Sequence, residues 1–361
     1  MAMIPLKIPP GVYANGTVFE SSNRWREASL VRWHDGSMRP VGGWTTRKAS
    51  AFSYAPRAML SFLDNSSDEY LVAGTYEKLY YVNPSLTVTD ITPASGFTSG
   101  TVNGALNTGF GGGFYGLNNY GRTPANSGVY AEATTWALDT WGEYLLAVSS
   151  TDGKLLEWQG NPSANAATVA NAPTGNKSMV VTEERFVFCL GAGGNPRKVA
   201  WSDKENNTVW TPSATNEAGD MELQTTGQIM CGVRMRGATL ILTDNDAHVA
   251  TYSGAPFVYG FQRVGTACGV SSRKGAVAID EGAFWMGKKG FFTFDGSTAK
   301  EIPCEVADYV FDDMNPSQIS KVYAVHNSQF GEIWWFYPSA SSVENDRYVT
   351  LDYKEGHWAT G

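Results

Sequence analysis

The chain repeats one unit along its length: an apolar strand, a second strand, then a hairpin that closes on an aromatic residue or a Thr-Pro pair. Clear copies are Tyr70 to Gly74 before Leu79 to Val82, Tyr144 to Val148 before Leu155 to Trp158, and Phe284 to Gly287 before Phe291 to Phe294. Copies return roughly every 40 to 55 residues, the spacing of four-stranded propeller blades. Such repetition confines function to insertions, rims and contacts between copies.

The apolar strand pairs that form the inner part of each copy fall near 57–74, 135–148, 176–190, 227–243, 273–286 and 318–337. Outer hairpins fall near 79–91, 155–169, 198–211, 247–264, 291–303 and 348–360. One further hairpin, Leu30 to Pro40, precedes them all and turns at Asp35-Gly36, a pair suited to the positive φ angles of a type I′ turn. It either begins an incomplete extra blade or helps to close the ring. The chain is therefore expected to be all-β: a β-propeller of six or seven blades over 30–361, after an extended arm at 1–29 in which Pro5, Pro9 and Pro10 oppose ladder pairing. Helix signals are confined to Ser271 to Ile279 and Pro303 to Met314.

Residues 96–134 break the rhythm between the first two inner pairs. The core of this insertion, Gly109 to Arg122, sets aromatics between glycines, and Arg122 and Glu132 are its only charges. A solvated linker is richer in charge and poorer in aromatics. Phe110, Phe114, Tyr115 and Tyr120 are accordingly expected to pack on a surface, of the same subunit or of a neighbour.

Charged residues make up only 17% of the chain, below the usual quarter. The net charge is −8, and no basic run offers the face that grips nucleic acid. Cys189, Cys231, Cys268 and Cys304 lie far apart without Cys-x-x-Cys spacing, as buried free thiols do. No apolar run approaches a membrane span, and the first ten residues lack the apolar stretch of a signal peptide.

Catalytic patterns are missing. None of His34, His248, His326 and His357 has a His or Cys three or four residues away. Asp244-Asn245-Asp246 lacks the Gly and distal Glu of a calcium loop and suits a tight turn. Glu305, Asp312 and Asp313 are not placed in one pocket by any spacing. Ser202 to Trp210 approaches the Asp-box of propeller sialidases but has no Gly, and no nucleophile elbow or P-loop occurs. No catalytic residue, cofactor site or metal site is assigned.

Three stretches together resemble the β-propeller tail proteins of tailed bacteriophages, in particular the tail nozzle or hub subunits of short-tailed phages. They are Ser29 to Trp44, with its Arg39-Pro40-Val41-Gly42-Gly43-Trp44 ending; Gly109 to Gly121 followed by Thr135 to Ala147, with Trp136-Ala137-Leu138-Asp139-Thr140-Trp141-Gly142-Glu143; and Val199 to Asp203 through Trp210-Thr211-Pro212 to Asp220. Each motif is what a blade hairpin needs; their order is more specific, although known nozzles are often longer. The resemblance implies a non-enzymatic virion protein, assembled in the host cytoplasm into a ring, a hexamer in such tails. It would meet portal-adaptor proteins and tail fibres and form part of the DNA ejection conduit without gripping DNA. Negative charge on a conduit wall repels phosphates, and the turn residues Glu77, Asp152, Asp244 and Asp246 are the expected channel-facing groups. Two rival classes are a receptor- or glycan-binding propeller at the tail tip and a glycoside-cleaving enzyme. The first would repeat aromatic and Asn/Asp pairs from blade to blade; the second is opposed by the missing Asp-boxes.

Overall fold

The computed structural model describes residues 8–46, 52–105, 131–280 and 282–361. These form a six-bladed β-propeller. Each blade is a four-stranded antiparallel sheet whose strands follow one another in sequence. The first strands of the blades are Ala58–Leu63, Trp136–Trp141, Ser178–Val181, Ile229–Met235, Ala276–Ile279 and Tyr323–Asn327. From blade one to blade six, each packs on the next around the central axis. The outermost strands are Val88–Asp90, Ala167–Thr168, Gly219–Glu222, Val258–Thr266, Ala299–Ile302 and His357–Thr360.

Alternation along the strands puts apolar side chains on both faces of a blade, where they meet the neighbouring blades. Trp285 of blade five is fully buried with Met230, Leu240 and Leu242 of blade four. Its indole N–H donates to the Cys268 carbonyl at 2.6 Å. The same device recurs around the ring: Trp136 donates to Thr75, Trp201 to Glu217, Trp335 to Gly275 and Trp358 to Pro303. A large aromatic thus fills the space between sheets while its one polar atom satisfies a loop carbonyl. Trp141, Trp158, Trp334 and Phe294 are also buried, as their positions in the repeat require.

The structure departs from the sequence reading at two places, while a helix does form within Pro303 to Met314. Residues Ala276–Ile279 form a strand, not a helical turn; their small and β-branched side chains pair with Gly282–Met286 at the centre of the ring. The helix that does form is Ala307–Asp313. In blade three the outer strand comes late, at Gly219–Glu222, because a long loop intervenes and is held by Asp203 Oδ1 accepting from the Glu217 amide at 2.8 Å.

The hairpin Val31–His34 and Ser37–Pro40 is a separate two-stranded sheet, and Asp35 and Gly36 have the positive φ angles its turn demands. It is no seventh blade. It lies against blade six, where Arg32 makes a paired contact with Glu332 (2.9 and 3.1 Å) and its guanidinium covers Phe330 at 3.7 Å. The arm before it continues along the same blade: the Val12 amide donates to the Trp358 carbonyl at 2.8 Å, and Ser29 bridges Thr360. Because blade six owns all four of its strands, no strand is exchanged between the chain ends to close the ring among the described residues. The seam between blades six and one is joined instead by side chains.

Candidate functional site at one mouth of the central channel

Antiparallel pairing fixes which turns share a face. The residues before each first strand lie beside the turn between the second and third strands of that blade, at one mouth of the channel. Arg57, Lys177, Arg273, Lys274 and Lys321 all fall within three residues of a first strand. Four of the six blades therefore aim basic side chains at this mouth.

Two carboxylates answer them. Glu344, in the loop between the second and third strands of blade six, accepts from Arg57 Nη1 at 2.5 Å, Arg57 Nη2 at 2.8 Å and Lys321 Nζ at 3.0 Å. Burial raises the Glu344 pKa, but hydrogen bonds from Arg57 and Lys321 outweigh that and hold it below the ordinary 4.5. Glu132 pairs with Arg273. Blade two, which Glu132 precedes, stands opposite blade five, which Arg273 precedes, so this pair crosses the axis. Lys177 sits near both groups; burial and then the Arg273 charge lower its pKa, with Glu132 opposing.

The described ends of the insertion run through this cluster. Ala105 and Ala131 bridge as an antiparallel pair. Gly104 exchanges two hydrogen bonds with the Gln318 side chain, at 3.1 and 3.0 Å. The Val102 carbonyl accepts from Arg57 at 3.0 Å, Asn103 accepts from Lys321 at 2.8 Å, and the Ala133 amide donates to Ser320 at 3.1 Å. A side chain at position 104 would collide with the Ser317 carbonyl, so only glycine lets the two backbones approach this closely. These contacts make a stalk that reaches from blades one and two to blade six. Phe110, Phe114, Tyr115 and Tyr120 lie outside the described residues.

All four expected channel-facing acids lie in or next to turns on this same face, Asp246 opening a strand, and three of them are engaged by their surroundings. Asp152 Oδ1 accepts from the Thr98 amide at 2.8 Å and lies 3.4 Å from Lys154 Nζ; its side chain is 1% exposed. Asp244 accepts from the Gln228 amide at 2.8 Å. Asp246 is buried and accepts from Thr225 Oγ1 at 2.8 Å and Thr243 Oγ1 at 2.5 Å, with His248 Nε2 at 3.2 Å. Glu77 is half-buried beside Tyr76, whose hydroxyl is pushed up to about 12, first by a hydrogen bond with Tyr54, then by burial and by Glu77. The cluster formed by the residues ahead of the first strands is basic, five side chains with two carboxylates, Glu344 and Glu132, among them, in a chain whose total is −8. The sequence reading missed this cluster, although its signal was present: a basic residue recurring just ahead of a first strand.

No assembled acid–base machinery stands out among the described residues. In the His248–Asp246 pair both neighbouring threonine hydroxyls donate to the aspartate, so neither is aimed at the imidazole for activation. Glu305 is taken by Arg24 at 2.5 Å and Asp313 by Arg347 at 3.5 Å. All four cysteines are free; burial pushes Cys231 up to about 12 and Cys268 to about 11, far from a reactive thiolate. His34, Asp35 and Glu355 bring three ligand atoms within 4.8 Å of one another, on exposed turns. No described helix is long and apolar enough to cross a membrane.

No protein-family model matches the chain, and no curated protein matches it. Among solved structures it is similar to a streptogramin B lyase, at a TM-score of 0.49 and 6% identity over 86% of this chain and 84% of that one. It is also similar to virginiamycin B lyase from Staphylococcus aureus (TM-score 0.46, 6% identity, 83% and 82% covered). A third similarity is to the AfRom2 CNH domain (TM-score 0.39, 14% identity, 62% and 69% covered). These are likenesses of architecture and carry nothing about chemistry.

Proposed function

We propose that this chain is a non-enzymatic structural subunit of a bacteriophage tail, of the nozzle or hub type. In this reading the propeller is a rigid scaffold, and copies pack side by side into a ring, a hexamer, along the path of the ejected DNA. Adaptor proteins and tail fibres are its neighbours, and it acts in the virion after assembly in the host cytoplasm. The sequence resemblance supports this reading. So does one structural observation: the insertion leaves and re-enters the fold through a stalk locked across the channel mouth, with Ala105 paired to Ala131. A stalk anchored to blades five and six by Glu132–Arg273 and Gly104–Gln318 transmits load from whatever residues 106–130 engage into the whole ring.

The test is assembly. Residues 106–130 are replaced by a short Gly-Ser link between Ala105 and Ala131, which spares every stalk contact described. The altered protein should keep the melting temperature of the parent. The parent should form rings in negative-stain images and light scattering, and the altered protein should remain monomeric. A parent that stays monomeric at high concentration, or an altered protein that still forms rings, defeats the proposal.

A further inference from the structure

The seam between blades one and six holds a cavity of about 340 Å³. Arg57, Lys274 and Lys321 line it, with Glu344 as their one acidic partner in its wall. That carboxylate is shared by Arg57 and Lys321, so the third cation has no counter-ion within the cavity. Lys274 Nζ makes no hydrogen bond or ion pair with any described residue. It is half-buried, and burial lowers its pKa while Cys231 and Asp139 pull the other way. Asp139 is itself engaged by the Val181 amide at 3.0 Å.

Two further polar atoms point to a missing partner. Arg57 Nε and Thr135 Oγ1 are enclosed and have no hydrogen-bond partner among the described residues. Arg57 is 8% exposed and Thr135 3%, and both line the cavity. Buried donors without acceptors are costly, and such groups in native proteins are nearly always satisfied by something. The rest of the lining is apolar: Met59, Val322, Tyr323 and Phe336. Met59 is 45% exposed, which leaves that side open to solvent. Excess positive charge beside an apolar wall describes the complement of an amphiphilic anion.

We propose that this seam cavity binds a small carboxylic acid as its anion, the carboxylate against Lys274 and Thr135 and an apolar body against Met59, Val322 and Phe336. The bound anion supplies the missing counter-charge and bridges blades one and six where no strand does.

The probe is 4-phenylbutyrate, compared by calorimetry with its neutral amide on the full chain at neutral pH and low salt. The acid should bind saturably, one per chain, and raise the melting temperature. The amide should bind at least about tenfold more weakly, the loss expected when a charged hydrogen-bonding partner is removed. Lys274→Gln should weaken the acid by about tenfold or more without changing its affinity for the amide. Met59→Trp fills the open side while leaving all three cations, and should abolish binding in a protein with the parental melting temperature. It is the deciding variant should Lys274→Gln fail to fold. Absence of saturable binding by the parent shows a cavity holding water only and overturns the proposal. So does equal affinity for acid and amide, or undiminished binding by Met59→Trp.

Discussion

Trp285 carries the logic of the fold at the scale of one residue. Its ring is fully buried between blades four and five, stacked on Phe292 with centroids 5.9 Å apart. Its N–H satisfies the Cys268 carbonyl. Trp285→Ala should cost about 3–5 kcal/mol, the range for emptying a large aromatic site in a packed core. Chemical denaturation of parent and variant measures it; an unchanged midpoint would show that blades four and five do not depend on this contact. The sequence made such a residue legible, because Phe284 to Gly287 repeats the apolar pattern of the other copies. It did not make Asp246 legible. That aspartate looks like a turn acid on paper, and only the fold reveals Thr225, Thr243 and His248 converging on it. Contacts of that kind depend on the exact path of a turn, which alternation of apolar and polar residues does not encode.

At the scale of elements, what could be foreseen was local and what could not was distant. Asp35-Gly36 announces its turn because two neighbouring residues set the backbone. The strand pairs announce themselves because burial on both faces selects runs such as Leu145-Leu146-Ala147-Val148. The channel mouth did not announce itself, since Arg57 and Glu344 are 287 residues apart and become partners only when the ring closes. Their clamp has a pH signature. Glu344 titrates below its ordinary 4.5 in the fold. Its contribution to stability is therefore fully present above that value and is lost as pH falls through the lower, folded pKa. Acid should loosen the seam, and hydrogen exchange at Arg57 to Leu60 and Ser320 to Tyr323 should rise there before the ring as a whole unfolds. In Glu344→Gln the same amides should exchange faster at neutral pH and show no further acid step. An acid step that persists in this variant would place the titrating group elsewhere.

At the scale of the whole molecule, charge and topology pull in one direction. A chain of net charge −8 keeps its densest basic cluster at the channel mouth, with Arg57, Arg273 and Lys321 already engaged by Glu344 and Glu132. Duplex DNA should accordingly show no measurable affinity for the protein at physiological salt, because several unpaired phosphate contacts are needed for non-specific binding. A fluorescence anisotropy titration decides this. Micromolar binding that weakens steeply with added salt would mean that the cluster grips nucleic acid and would count against a conduit role. The placement of the N-terminal arm has a different consequence, one of timing. Arg32 and Glu332 are separated by 300 residues, and the arm also rests on Trp358, in the outermost strand of blade six. The segment that precedes blade one in the chain finds its resting place only on blade six. Until blade six is made, Trp33 has no core to enter, so a chain lacking blade six would display that tryptophan to chaperones and proteases. The arm thereby reports whether blade six is in place.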